Sequence, residues 1–153
     1  MQQTQNNPLL LAQIYLGAIA LTIIVYLGLC HYFNEALQQP IVEAERVWVR
    51  TGLYIVAIIT FPMTNLVRHI QLRLNETMPF DNKDALLVAK QRYLITLIVS
   101  LSLIESIAVF GFIMFILGDG FNTLYIFEIL AALGLFLYRP KIAEYQKVLA
   151  ALE

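Results

Sequence analysis

Charge is what this sequence has least of. Only 14% of its 153 residues are Asp, Glu, Lys or Arg, where a soluble domain carries about 25%. Lys and Arg number 10 and Asp and Glu 11, a net charge of -1, so no basic surface suggests nucleic acid. A single cysteine, Cys30, excludes an intramolecular disulfide and any cysteine-based metal site. The two histidines, His31 and His69, flank different apolar blocks, which argues against a His-rich metal or haem site within one subunit. A nucleophile–base pair and a Gly-rich phosphate loop are also missing, so neither an enzyme nor a cofactor is expected.

What fills the chain instead is apolar. Residues of the set AVILMFWYC make up 59%, and the mean hydropathy is +0.71. They gather in four blocks, near residues 9–33, 47–67, 93–117 and 120–138, with nearly all the charge between them. A hydrocarbon core about 30 Å thick needs about 20 apolar helical residues, so each block matches one crossing. A soluble enzyme, a nucleic-acid module and a disordered tail are thereby excluded.

The first block has no formal charge and only Gln13 as a strongly polar interruption. No Lys or Arg precedes it, and it exceeds the h-region of a signal peptide, so it reads as a retained helix. The second lies between Arg50 and Arg68, with Trp48 and Tyr54 suited to an interfacial belt at its start. Pro62 predicts a kink there, which Thr60 and Thr64 can relieve by bonding carbonyls. The third block is broken only by Glu105, the fourth only by Glu128. Gly118-Asp119-Gly120 between them allows only a tight hairpin. In the loop of residues 68–92 the neighbouring helices continue, with a bend around Pro79 and with Asp81 and Asp84 as caps of the third helix. After Pro140, Ile142, Tyr145, Val148, Leu149 and Leu152 recur at helical spacing, predicting a short amphipathic tail helix on the membrane surface or on a partner. No internal repeat is visible.

Orientation follows from the basic residues. Arg68, Arg73, Lys83, Lys90 and Arg92 lie in the loop, and Arg139, Lys141 and Lys147 in the tail of residues 139–153. Only Arg46 and Arg50 lie on the other side. The positive-inside rule then places the loop and both termini in the cytoplasm, which makes the Asn75-Glu76-Thr77 sequon a chance match. The expectation is a single all-α domain of the bacterial inner membrane: four antiparallel transmembrane helices and a short tail helix, associating with itself or with other membrane subunits.

Glu105 falls near mid-membrane, where insertion costs about 2.5–3.5 kcal/mol for an acidic residue. Protonation lowers that cost. Several roles stay open for it: proton carrier, cation ligand, one half of a buried ion pair, or a protonated carboxyl that donates a hydrogen bond across a helix interface. Glu128, eight residues past Gly120, is expected nearer the outer surface, where water and snorkelling reduce the cost. Arg50 is a possible partner for either, or snorkels at the interface. Ser102 and Ala108 share the Glu105 face. Ser102 and Ser106 give a small-xxx-small spacing suited to close helix packing.

The run from Ser100 through Ser102, Glu105 and Ser106 to Phe110-Gly111 resembles the carboxylate helix of the ring (c) subunit of rotary ATP synthases. That helix likewise carries Ser-Leu, the ion-binding Glu, a small residue and an aromatic-Gly pair. The resemblance implies that Glu105 is an ion-binding carboxylate and Ser106 the hydroxyl that joins it in sodium-binding rings. It covers about twelve residues. The preceding span has only Gly52 where the family is glycine-rich, it contains Pro62, and Phe110 stands where the family often has Tyr. The whole chain also looks like small four-span bacterial membrane proteins with a similar Glu-containing third helix, a likeness that carries no function.

Two functional expectations result. One is an accessory or structural subunit of a larger membrane complex or homo-oligomer. The other is a proton- or sodium-translocating subunit using Glu105, with Ser102, Ser106 and Glu128 beside it. The topology is testable by reporter fusions after residues 40, 78 and 153. A periplasmic signal is expected only at 40, and one at 78 or 153 would refute the four-crossing arrangement.

Overall fold

The computed structural model describes residues 9–79 and 84–152, and every regular element among them is helical. The order is α1 (Leu10–Phe33), a 3-10 turn (Asn34–Leu37), α2 (Glu43–Thr77), α3 (Ala85–Ile116), α4 (Phe121–Leu137) and α5 (Ile142–Ala150). α1, α2 and α3 are each long and apolar enough to cross a membrane. α4 has 17 residues, the short end of the crossing range of about 17–25. It meets the same test when taken together with α5, which follows it at a 46° bend.

α3 is the hub. In its most apolar window 44% of residues are buried, against 17% in α1 and 11% in α2. Ala89, Tyr93, Leu97, Leu101, Ile104, Ala108 and Phe115 mark its inward stripe at helical spacing. α1, α2, α4 and α5 all pack on it. Paired contacts give the directions. Tyr15 meets Ser102 and Tyr26 meets Phe112, so α1 runs parallel to α3. Asn75 meets Thr96, so α2 runs antiparallel to it. The helices therefore alternate in direction, and α5, the start of α1 and the α2–α3 bend share one end of the bundle.

The α3–α4 hairpin approaches more closely than its neighbours because glycines face it. A Cβ on Gly111 would lie 2.8 Å from the Phe127 Cβ, and one on Gly134 would lie 2.6 Å from the Ile104 side chain. These glycines, with Ala108 and Ala131, are the small residues that let the backbones meet. Ser102, expected in that role, is exposed and bonds Tyr15.

Polar contacts tie both ends. At the hairpin end, Gln39 and Ile41 donate their backbone N–H to the carbonyls of Ile116 and Leu117 at 2.6 and 3.3 Å. Arg46 donates to the Gly118 carbonyl at 3.0 Å. Arg50 pairs with Asp119 at 3.2 Å, so it is a partner of neither glutamate. Trp48 is exposed, whereas Tyr54 stacks on Phe127 at 4.7 Å. At the other end, Arg92 donates to the carbonyls of Asn75, Met78 and Pro79. It thus satisfies one of the last carbonyls of α2 and the two that follow the helix. Asp84 stands at the N-cap of α3 without a side-chain capping bond; Asp81 and Lys83 lie outside the described residues. Around Pro62 the Thr60 and Thr64 hydroxyls do bond the carbonyls one turn back, at 2.8 and 2.7 Å.

The tail helix packs on its own chain. Tyr145, Val148 and Leu152 are buried, while Ile142 remains exposed. Burial pushes the Tyr145 phenol above its ordinary pKa. Arg68, 5% exposed, donates to the Tyr138 carbonyl at 2.8 Å and to Glu144 at 2.6 Å, joining α2, α4 and α5. Tyr93 accepts from the Lys141 N–H at 2.8 Å. Tail residues read as facing the membrane or a partner thus close the end of the bundle.

Gly118 tests the hairpin end. Its φ is +86°, and a Cβ there would sit 2.6 Å from that of Pro40. Gly118→Ala should cost about 1–3 kcal/mol, whereas Gly120→Ala, with nothing within 4 Å, should change stability by less than about 0.5 kcal/mol. Unfolding in mild detergent would compare them, and equal effects would contradict the packing of the 34–42 segment on the hairpin.

Candidate functional site

The two carboxylates that interrupt the apolar helices face the same neighbour, α1, but in different ways. The α4 stripe Thr123, Leu124, Phe127, Glu128, Ala131, Gly134 and Leu135 is buried at spacings of three and four, the pattern of a helix face. Glu128 lies in that stripe and is 3% exposed. Neither of its carboxylate oxygens has a hydrogen-bond partner among the described residues. The expectation of a water-exposed, snorkelling Glu128 is therefore corrected. The glycines and alanines that bring α4 against α3 carry Glu128 inward with them.

Glu105 is half-buried and accepts a hydrogen bond from the Thr22 hydroxyl at 3.1 Å. Thr22 also donates to the Ile19 carbonyl at 2.7 Å, so one hydroxyl proton is shared between two acceptors. Ser106, the residue matched to a sodium-ring hydroxyl, donates to the Leu103 carbonyl of its own helix at 2.6 Å. The hydroxyl on Glu105 comes from α1 instead. Ser102 bonds the Tyr15 hydroxyl at 2.9 Å, one turn from Glu105.

These contacts make a polar line down α1. Tyr15, Thr22, Tyr26 and Cys30 repeat at helical spacing on the face turned toward α3 and α4. Tyr26 stacks on Phe112 at 5.1 Å and lies within electrostatic reach of both Glu105 and Glu128. Cys30, fully buried, lies within reach of Glu128. The register set by Gly111 opposite Phe127 and Ile104 opposite Gly134 places Glu128 level with Phe110. That is five residues, or about 7 Å along the axis, from Glu105. Among the described residues no hydrogen bond joins the two carboxylates.

Of the expected site residues, the structure brings Glu105 and Glu128 to one seam, puts Ser102 at its open edge and turns Ser106 to its own backbone. Sequence reasoning missed Thr22, Tyr26 and Cys30. Their signal was present as polar residues four apart in an otherwise apolar block, but Gln13 drew attention as the stronger polar residue. Among the described residues no group of three or more His, Cys, Asp or Glu side chains converges as a metal-ligand set. The seam offers one buried carboxyl without a partner among the described residues, and one half-buried carboxyl with a hydroxyl on it.

An unpartnered buried polar group costs about 1–3 kcal/mol. Glu128→Leu should therefore raise the unfolding free energy of the isolated protein in detergent by about that amount, while Glu128→Gln should recover little of it. A loss of stability on Glu128→Leu would mean that the carboxyl is satisfied by a bound group. Compared with family models, with curated proteins and with solved structures, the chain matches none, so the reading of this seam rests on its own residues.

Proposed function

We propose that this chain is a four-span membrane protein, with α4 as the shortest crossing and both termini cytoplasmic, that works as a subunit of a larger membrane assembly or homo-oligomer. One observation carries the proposal: the α1–α3 seam opens polar groups outward from otherwise apolar helices. Glu105 is half-buried, not enclosed, with a single hydrogen bond from Thr22, and the Tyr15–Ser102 pair beside it is exposed. Lipid satisfies exposed Ile24, Ile58 and Ile129, but it offers nothing to a carboxyl or hydroxyl at that depth. Ionisable residues within membranes face a bundle interior or a partner, and a second subunit's helix laid along the seam supplies one.

Glu105 tests the role. As a neutral hydrogen-bond donor across a subunit interface it should tolerate Glu105→Gln. Glu105→Leu should weaken association by about 0.6 kcal/mol, at most about 2. Association would be read by cross-linking and sedimentation in detergent, and an unchanged oligomer for both variants would refute the interface.

A second reading, proton or sodium translocation, draws support from one further observation: buried Glu128 lacks any hydrogen-bond partner among the described residues and lies about two helical turns or less along the axis from Glu105. Under this reading Glu105→Gln abolishes ion-dependent activity while the complex still assembles. A carbodiimide should label Glu105 at neutral pH, since the group must be protonated and reachable from lipid. A Gln variant equal to wild type in growth and in proton- or sodium-dependent assays would end the translocation reading.

A further inference from the structure

A cleft outside the carboxylate seam lies at the end of the bundle where α5 crosses α2. Its volume is about 740 Å³, within the range of about 300–1,000 Å³ common for small-ligand sites. α2 contributes His69, Leu72, Arg73 and Glu76, one face at spacings of three and four. α5 contributes Glu144, Lys147, Ala150 and Ala151. Two helices that face each other within one bundle ordinarily meet through apolar side chains, yet five of the eight residues that line this cleft carry ionisable side chains. The Arg68–Glu144 pair at 2.6 Å pins the two helices at one end, and the small alanines leave the other end open.

The charges in the cleft do not satisfy one another. Glu144 is taken by Arg68, with Lys141 at 4.0 Å. Among the described residues, the side chains of His69, Arg73, Glu76 and Lys147 make no hydrogen bond or ion pair. Two cations and one carboxylate therefore face a shared space without partners. That pattern matches a ligand that carries both signs: an anionic phosphate for Arg73 and Lys147, and an ammonium for Glu76. Arginine and lysine are the usual phosphate partners, through charge-assisted hydrogen bonds.

The level of the cleft narrows the ligand further. It begins directly after the uncharged stretch of α2 that ends at Arg68, which is headgroup depth if that stretch crosses a bilayer. Leu66, Ile70 and Leu74 are exposed on α2 one position round the helix from the cleft residues, a track of apolar surface for acyl chains. We infer that the α2–α5 cleft binds the headgroup of a zwitterionic amino-phospholipid of the phosphatidylethanolamine type. The phosphate sits between Arg73 and Lys147, and the ammonium lies on Glu76. The inference rests on the membrane-spanning reading but on neither role proposed for Glu105.

The test uses the full chain, released from nanodiscs of equal phosphatidylethanolamine, phosphatidylglycerol and phosphatidylcholine and weighed by native mass spectrometry. Phosphatidylethanolamine should be retained over both others. The double variant Arg73→Gln with Lys147→Gln should lose at least about tenfold in that retention, since even one charge-assisted hydrogen bond is worth that much. Glu76→Gln should remove the preference over phosphatidylglycerol while leaving phosphatidylglycerol retention unchanged. Equal retention of the three lipids by the wild type, or undiminished retention by the double variant, would overturn the site. Free phosphoethanolamine binding the detergent-purified protein as tightly as the lipid does would assign the cleft to a soluble ligand and overturn the lipid. Alkaline carbonate extraction of the same membranes separates the two failures. A chain that washes off refutes the crossing, and one that stays but retains no preferred lipid refutes the cleft alone.

Discussion

The close approach of α3 and α4 at Gly111 and Gly134 is the constraint on which the remaining structure depends. In lipid there is no hydrophobic drive to bring helices together, since tails are as apolar as leucine; contact has to come from packing and from polar pairs. A methyl group at either glycine would sit 2.6 to 2.8 Å from a facing side chain, so the hairpin cannot close with a larger residue unless its neighbours shift. Once it closes, the register is set, and every residue of the α4 inner stripe, including Glu128, is committed to the interior. The buried carboxyl follows from where the small residues lie.

The ends of the bundle are held by a different economy. Four of the ten basic residues that enter the orientation count also carry structure. Arg46 and Arg50 hold the hairpin turn, Arg92 binds the carbonyls of Asn75, Met78 and Pro79 where α2 ends, and Arg68 joins three helices. Among the described residues the side chains of Arg73, Lys90 and Lys147 make no hydrogen bond or ion pair. Arginine suits these tasks because its planar fork can serve two acceptors at once, as Arg68 does with Tyr138 and Glu144. A positive-inside count and a capping census thus draw on the same residues, and neither excludes the other.

Much of the architecture was legible because length and hydropathy are additive along a chain. The apolar blocks, the tight turn at 118–120, the bend near Pro79 and the tail helix all appear where composition changes. The site was less legible, because it depends on rotation about helix axes. The inner face of α4 is marked by Ala131 and Gly134, but depth alone places Glu128 near the outer surface, and depth says nothing of the rotation that turns it inward. The α1 residues that complete the seam, Thr22 and Tyr26, are too mildly polar to stand out in a block whose average is apolar. Ser102 and Ser106 had the spacing of a packing motif, but the tighter small residues were glycines on the hairpin. The tail's amphipathicity was plain from sequence; its partner, Arg68 and the α2–α3 surface, was not, because any apolar stripe fits several surfaces equally well.

The seam and the hub explain each other. α3 touches four helices, so its inward stripe is occupied nearly all round, and a residue beside that stripe is the first to face outward. Glu105 is such a residue, next to fully buried Ile104. α1 reaches it with one hydroxyl but does not cover it, because α1 is drawn on past it by the stacking of Tyr26 on Phe112 and by the burial of Cys30 beside Phe115 and Leu124. A carboxyl that served only to bind α1 to α3 would lie under α1, where Glu128 lies under its own neighbours. Its position at the edge, with one oxygen engaged and the other side open, is what a contact beyond this chain or an exchange with its surroundings requires, and both readings of the function start from that edge.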